Sequence, residues 1–463
     1  MIIMKFGGTS VEDARAMNNV IEIVGRERNR KPVVVLSAVA GATNTLLRSA
    51  HIAFEGNLDK AHAELHALFE RHVLILENLI ENRTEVQLLI LAIRKRFDEL
   101  KTLCQGIAIL GELTNRSLDA IASIGEELST MILSKTMAER GFSAQLVDAR
   151  RWMITDGQFG AATPLMNRIS DETANRILPL VESGQIVITQ GFIGSTDRMI
   201  TTTLGRGGSD YSAAILGSAL GAEEIQIWTD VDGVLTADPR IAPAAKKLKV
   251  ISFREASELA YFGAKVLHPS TIQPAVEKNI PVIVLNSKRP QSTGTRIVGN
   301  PPKTNAAVKS IASKKGITVI NIQSTRMLMA YGFLSSIFSV FQRHETSVDL
   351  VSTSEVAVSL TIDNSSRLEQ IVKDLQAFAE VTAIENQAIV CVVGEQMRST
   401  MGIVDRVFRA LSNINVMMIS QGASEINMSL VVDENVVSLA VQQLHREFFE
   451  PVPELDLFEQ VDA

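Results

Sequence analysis

Cysteine is nearly absent: Cys104 and Cys391 are the only two in 463 residues and lie far apart. No disulfide framework can be built from them, and a reducing compartment, the cytoplasm, is expected. No apolar run reaches the roughly 18 residues that a membrane span needs, and the N-terminal stretch lacks the charged, apolar and small-residue sections of a signal peptide. A basic surplus is missing too. With 45 Lys and Arg against 52 Asp and Glu, the formal charge is −7, which argues against nucleic-acid and anionic-membrane partners while leaving room for a local basic site. The chain has no Gly-Lys dipeptide and therefore no Walker A loop. What is present is ordinary folding material, 46% apolar and 21% charged. The length exceeds the roughly 250–300 residues of one core, so several domains are expected.

The N-terminus reads MIIMKFGGTSVEDARAMNNV: a short apolar strand, Lys5, the glycines Gly7 and Gly8, and then Ala14, Met17, Val20, Ile21 and Val24 at helical spacing. Glycines can take positive φ and admit a ligand close to the backbone, and a helix start offers unpaired N–H groups to an anion. Ser10 followed by Asp13 fits a capped helix start. The order strand, glycine turn, helix suggests a phosphate cradle, although such turns also occur for purely structural reasons.

To about residue 295, strand-like runs alternate with helical patterns: 32–41, 185–194, 224–234 and 280–287 are rich in Val and Ile. This predicts an α/β fold with a mainly parallel sheet sandwiched by helices. Residues 58–140 read as an almost wholly helical insertion. A polar stretch rich in Pro, Gly, Ser and Thr then breaks the pattern, placing a domain at 1–295 and a linker at 296–305. Beyond it, an offset of 70 residues aligns Gly332 with Gly402, Phe338 with Phe408, Ser354-Glu355 with Ser424-Glu425 and Asp363 with Asp433. Each copy has a ferredoxin-like βαββαβ order. The first copy is placed at 314–387. The C-terminal PVPELDLFEQVDA is a poor closing strand, so the second copy, 388–463, is expected to borrow 306–313 and be discontinuous.

Further clusters carry the chemistry. TTTLGRGGSDY (201–211) places Gly205, Gly207 and Gly208 around Arg206, with Ser209 and Asp210 at the next helix start. Asp210 occupies the third glycine position of the dinucleotide fingerprint, which excludes that motif. In IWTDVDGVLTADPR (227–240), Asp230, Asp232 and Asp238 suit either a nucleotide or plain turns. FGAKVLHP (262–269) carries Lys265 in a Gly-Ala turn. HAELH (62–66) lacks the arrangement of the zinc-protease motif, and no protein-held metal is expected.

With KFGGTS, TTTLGRGGSDY, WTDVDGV and FGAKVLHP in this order, the sequence resembles the aspartate kinases of the amino acid kinase family, and its repeat resembles their paired ACT domains. The likeness is greatest to the monofunctional, lysine-sensitive branch. It implies transfer of the ATP γ-phosphoryl group to the side chain of L-aspartate with Mg²⁺, feedback by an amino acid, and homo-oligomers formed through the ACT domains. It also implies that Lys5 and Asp210 are catalytic and that Ser37, Thr43, Glu126, Arg206, Gly207 and Ser209 bind aspartate. Gly7, Gly8, Thr229, Asp230, Leu235, Arg240 and Lys265 would bind ATP, with Leu235 standing where relatives often carry an aromatic. The effector, L-lysine or else threonine, would meet Met327, Gly332, Phe333, Leu334, Val348, Asp349, Ser354 and Glu355; Ala330 replaces a serine found in lysine-inhibited relatives. Another carboxylate or amino acid kinase of the superfamily, or an inactive amino-acid sensor, are the competing readings.

Overall fold

The computed structural model describes residues 1–263, 269–302, 307–324, 331–422, 424–450 and 457–459. It divides into two compact units, one of Met1–Gly233 with Val266–Pro301, the other of Val234–Lys265 with Pro302–Ala463.

In the first unit, strands lie in the spatial order Ala144–Val147, Ile186–Gln190, Pro32–Leu36, Ile2–Phe6, Glu224–Thr229, Val282–Asn286 and Thr295–Val298. Every pairing is parallel except the last. Of these strands, the three whose residues are all buried, Ile2–Phe6, Pro32–Leu36 and Ile186–Gln190, are mainly apolar, as cover on both faces requires, with Lys5, Thr189 and Gln190 the polar exceptions. The helix Ala42–Phe54 leads into the insertion, which forms the helices Leu58–Leu79, Arg83–Leu110 and Asn115–Glu139. Asn57, Asn82 and Thr114 cap the last three through their side chains. Leu65, Phe97, Ile121 and Leu128 join Ile2, Met4 and Val34 in one core, which fixes the insertion against the sheet.

Two local expectations change. The first long helix begins at Ala14 with Asp13 as its cap, accepting from Ala16 N. Ser10 instead lies in a short 3₁₀ turn, Gly8–Val11, with its hydroxyl 2.8 Å from that of Ser287. Neither Gly7 nor Gly8 takes a positive φ. Gly8 is needed for closeness: a Cβ there would lie 3.0 Å from the Ala38 carbonyl and 3.3 Å from Ala40 Cα.

The second unit holds an antiparallel sheet in the order Val351–Thr353, Ala357–Ile362, Ser310–Gln323, Glu380–Val393, Asn427–Asp433 and Met418–Gln421. Ser310–Gln323 is one strand serving both halves. Its N-terminal part, through Lys315, faces 388–393, and its C-terminal part pairs with 357–362 on the other side. Between them, the register shifts next to Gly316, whose φ is +73°. Gly332 and Gly402 open the helices Phe333–Arg343 and Ile403–Ala410, both with φ +82°, so the repeat counted in the sequence is also a backbone repeat. Residues 234–265 pack into this unit through main-chain bonds. Ile311 N donates to Thr236 O at 2.8 Å, and Ser310 Oγ donates to Leu235 O at 2.8 Å. Within the C-terminal stretch, Phe458–Glu459 pairs with Lys247–Leu248.

The helix Phe253–Tyr261 opens with a reciprocal capping box between Ser252 and Glu255. Lys309 and Glu255 are both completely buried and paired at 2.9 Å, with Glu395 Oε1 3.2 Å from the same ammonium.

Candidate active site

The parallel strands of the first unit end at a common edge, where α/β sheets place ligands. A cavity of about 330 Å³ opens there, lined by Lys5, Gly8, residues 37–41, Thr43, Asn44, Glu126, Phe192 and, from the glycine turn, Gly205 and residues 207–210. Each side chain is delivered by a different piece of local chemistry. Lys5 sits on the buried central strand and is only 8% exposed. Its ammonium meets Asp210 Oδ1 at 2.6 Å, and Asp210 lies in the first turn of the helix Gly208–Leu220, where the dipole favours a carboxylate. Gly205 and Gly207 have φ of +75° and +70°, so this turn requires residues that tolerate the left-handed region. At Gly208 the constraint is space, since a Cβ would come within 2.8 Å of Phe192.

Glu126 comes from the helix Asn115–Glu139. One of its oxygens accepts from Ala38 N at 3.1 Å; the other is buried and has no hydrogen-bond partner. Burial pushes its carboxyl up to about 8, and only the Ala38 bond and the backbone at Glu126 oppose it. A ligand ammonium at this point would satisfy the orphan oxygen. Ser129, one turn further along the helix, donates to Ser37 O at 2.8 Å and steadies the loop opposite.

Six of the sequence-predicted residues are thereby gathered with Lys5 and Gly8 around one cavity or its turn: Ser37, Thr43, Glu126, Gly207, Ser209 and Asp210. Arg206 belongs to the same turn, but its side chain is exposed and it is not among the lining residues. Gly7 N donates to Trp228 O at 3.0 Å, and a Cβ on Gly7 would stand 3.6 Å from the Lys5 ammonium. Thr229 ends its strand and its hydroxyl donates to Asp230, itself exposed. The Thr229 carbonyl is held by Ser287 N at 2.9 Å, and Asp232 is braced by Asn286 and Arg289. These partners were missed in the sequence, where nothing signals that residues more than fifty positions away close this loop.

The remaining predicted residues belong to the second unit. Leu235 is half-buried, and Arg240 is exposed with its guanidinium engaged by Asp238 at 2.6–3.2 Å. Lys265 and Met327 lie outside the described residues, as does Ala330. Gly332 caps its helix, Phe333 packs edge-on against Phe378, and Leu334 is exposed. Val348 packs on the core of the first repeat. Ser354 closes a tight turn with Ala357, and Glu355 is exposed. Asp349 is engaged on one oxygen by the Tyr261 hydroxyl and by Lys314, 3.4 Å away; its other oxygen is buried without a hydrogen-bond partner.

A parallel sheet with a lysine, a carboxylate and glycine turns at its carboxyl edge is the arrangement of a small-molecule kinase, and residues 1–286 match the model of the Amino acid kinase family. Residues 390–448 match that of the ACT domain. The lysine-sensitive aspartokinase 3 of Escherichia coli is 39% identical, over 97% of this chain and 99% of its own length. Chloroplastic aspartokinase 3 of Arabidopsis thaliana is likewise 39% identical, over 97% and 81%. The crystal structure of E. coli aspartokinase III with aspartate and ADP superposes with a TM-score of 0.81 at 37% identity, covering 97% of this chain and all of that one. The form with lysine and aspartate gives 0.80 at 38%, covering 97% and 99%. The chain belongs to the aspartokinase family.

Proposed function

We propose that the chain transfers the γ-phosphoryl group of ATP to the side-chain carboxylate of L-aspartate, giving ADP and 4-phospho-L-aspartate. The observation that carries this reading is the unpartnered Glu126 oxygen in the same cavity as Lys5 and the glycine turn. It asks for a ligand cation close to a site suited to anions, which is the charge pattern of an amino acid meeting a phosphate. In this reading, Glu126 takes the ammonium, and Ser37, Thr43, Arg206, Gly207 and Ser209 take the carboxylates. Gly7, Gly8, Thr229, Asp230, Leu235, Arg240 and Lys265 serve the nucleotide.

The accepting carboxylate has an ordinary pKa of about 3.9, so it is already ionised and needs no general base. One of its oxygens forms the new bond to phosphorus as the bond to the ADP oxygen breaks. The obstacle is repulsion between two anions. Lys5 offsets it at the transferring group, and Asp210, at 2.6 Å, orients the ammonium without accepting a proton from substrate. Mg²⁺ fits as the nucleotide's own ion. Among the described residues, no three His, Cys, Asp or Glu side chains gather to cage a metal, and Mg²⁺ beside phosphates usually needs only one or two carboxylates. When bound, it would neutralise phosphate charge.

The second unit is read as a regulatory and dimerising part, with L-lysine as effector and threonine as second candidate. Support comes from the name of the lysine-sensitive E. coli relative and from the lone Asp349 oxygen, suited to an ammonium. Its proposed layout is a first ACT domain at 314–387 and a second at 388–463 completed by 306–313, after a catalytic domain at 1–295 and a linker at 296–305. The strand shared at 310–315 supports this division. The cytoplasm suits its two buried, free cysteines.

The test is ADP release with ATP, Mg²⁺ and L-aspartate, repeated with glutamate and with each aspartate-family amino acid. Lys5→Ala should fold normally and lose about 10²–10³ in kcat. Retention of more than half the activity removes Lys5 from the mechanism. Amino-acid binding by calorimetry with no ADP formed would favour a sensor instead.

A further inference from the structure

The helix Asn115–Glu139 carries two buried carboxylates on one face. Asp119 and Glu126 are seven residues apart, close to two turns, or about 10.5 Å along the axis. Their situations are opposite. Glu126 keeps a bare oxygen at the cavity. Asp119, 2% exposed, has both oxygens engaged: Oδ1 accepts from the Thr203 hydroxyl at 2.6 Å, and Oδ2 accepts from Thr203 N at 3.0 Å and Gly160 N at 2.9 Å.

Those donors define what Asp119 holds. Thr203 ends the strand Thr201–Thr203 and leads directly into the glycine turn that delivers Arg206, Ser209 and Asp210. Gly160 lies on the other side of that turn. Its carbonyl stands 3.1 Å from where a Cβ on Gly205 would be. Asp119 therefore binds the entry of the turn and the loop packed on it, and it does so from the helix that presents Glu126. A carboxylate receiving two backbone N–H groups and a hydroxyl is a rigid tie, because each donor would be left bare inside the protein if it were lost.

We propose that Asp119 is a positioning residue for the amino acid substrate, fixing the separation between the glycine turn that takes a carboxylate and the Glu126 carboxylate that takes the ammonium. The inference rests on the reading of the cavity as an amino acid site. It adds that the spacing of the two ends of the substrate is set by two turns of one helix, with Asp119 as the fixed point at the turn.

Steady-state kinetics on the full chain test this. Asp119→Ala leaves three donors bare and should raise the aspartate KM by about 10-fold or more, while the ATP KM stays within about twofold. Asp119→Asn keeps a carbonyl for the two N–H groups and should bring the aspartate KM back to within about threefold of the parent, since only the hydroxyl must turn. Thr203→Val removes the Oδ1 contact alone and should give a small rise of the same kind; it decides the matter if Asp119→Ala does not fold. Equal rises in both KM values, or a fall in kcat with both KM values unchanged, overturn the proposal. If the parent chain forms no ADP with aspartate, the amino acid reading falls and the proposal falls with it. A working parent with variants lacking the KM split removes the proposal alone.

Discussion

Lys309→Met should destabilise the second unit more than any single loss on its surface. Lys309 and Glu255 are both 0% exposed and paired at 2.9 Å, whereas Glu395, the other partner, is 27% exposed and can turn to water. Removing the lysine strands Glu255 in the interior, and breaking a buried pair from one side typically costs about 3–5 kcal/mol. Glu255 keeps two bonds at 2.8 Å from Ser252 N and Oγ, which places the expected loss near the lower end, about 3 kcal/mol. For a unit of about 190 residues, each kcal/mol moves the midpoint by about 2–4 °C, so its transition should fall by about 6–12 °C. Differential scanning calorimetry of the full chain is the assay, because Trp152 and Trp228 both lie in the first unit and their fluorescence does not report on the second. The double variant Lys309→Met/Glu255→Gln keeps a side chain able to form the capping box and removes the stranded charge, so it should recover at least half of the loss. A shift below about 2 °C, or a double variant no more stable than the single, would refute the reasoning.

Glu126 makes substrate binding depend on pH. Its folded, ligand-free carboxyl is raised to about 8, above the usual 4.5, so its contribution to stability is fully present below about 4.5 and is lost as pH rises through about 8. Ionised Glu126 is the form that pairs with an ammonium, so the aspartate KM should fall from pH 6.5 to 8.5, by at most about tenfold per unit; a flat profile, or the same slope in Glu126→Gln, contradicts this. Tyr261→Phe should release Asp349 from an internal competitor and lower the L-lysine concentration for half-inhibition by about 3–10-fold. An unchanged or raised value would separate Tyr261 from regulation.

The parallel core was legible because strands buried on both faces must be mostly apolar: Pro32–Leu36 is so throughout, and Ile2–Phe6 and Ile186–Gln190 are interrupted only by Lys5 and by Thr189 and Gln190. The repeat was legible because Gly332 and Gly402 carry the same left-handed duty before equivalent helices. Of the residues gathered at the cavity, Lys5 and those of the 205–210 turn followed from glycine turns flanked by charge, a local signal, whereas Ser37, Thr43 and Glu126 were implied only by the family resemblance. Asp119 escaped notice for the converse reason: an aspartate in a helical stretch usually faces solvent, and only the tertiary fold shows Thr203 and Gly160 converging on it. Lys309 and Glu255 are hidden likewise, since two charged residues 54 positions apart give no sequence sign that both will be buried. The glycine pair after Lys5 was found, but for the wrong physical reason; crowding by Ala38 and Ala40, not backbone handedness, excludes a side chain at Gly8.

The strand Ser310–Gln323 also sets a timetable for synthesis. Its N-terminal half leaves the ribosome early, yet its partners at 388–393 follow roughly 80 residues later, and 427–433 later still. At about 5–20 residues per second, the wait is about 4–16 s. During that interval, the C-terminal half can already pair with 357–362, so the same strand is anchored at one end while its other end, with Ile311 and Ala312 destined for the core, offers an open edge to neighbouring chains. Nascent chains arrested between residues 363 and 388 should therefore be the most prone to self-association, and slow translation across that stretch would prolong the exposure.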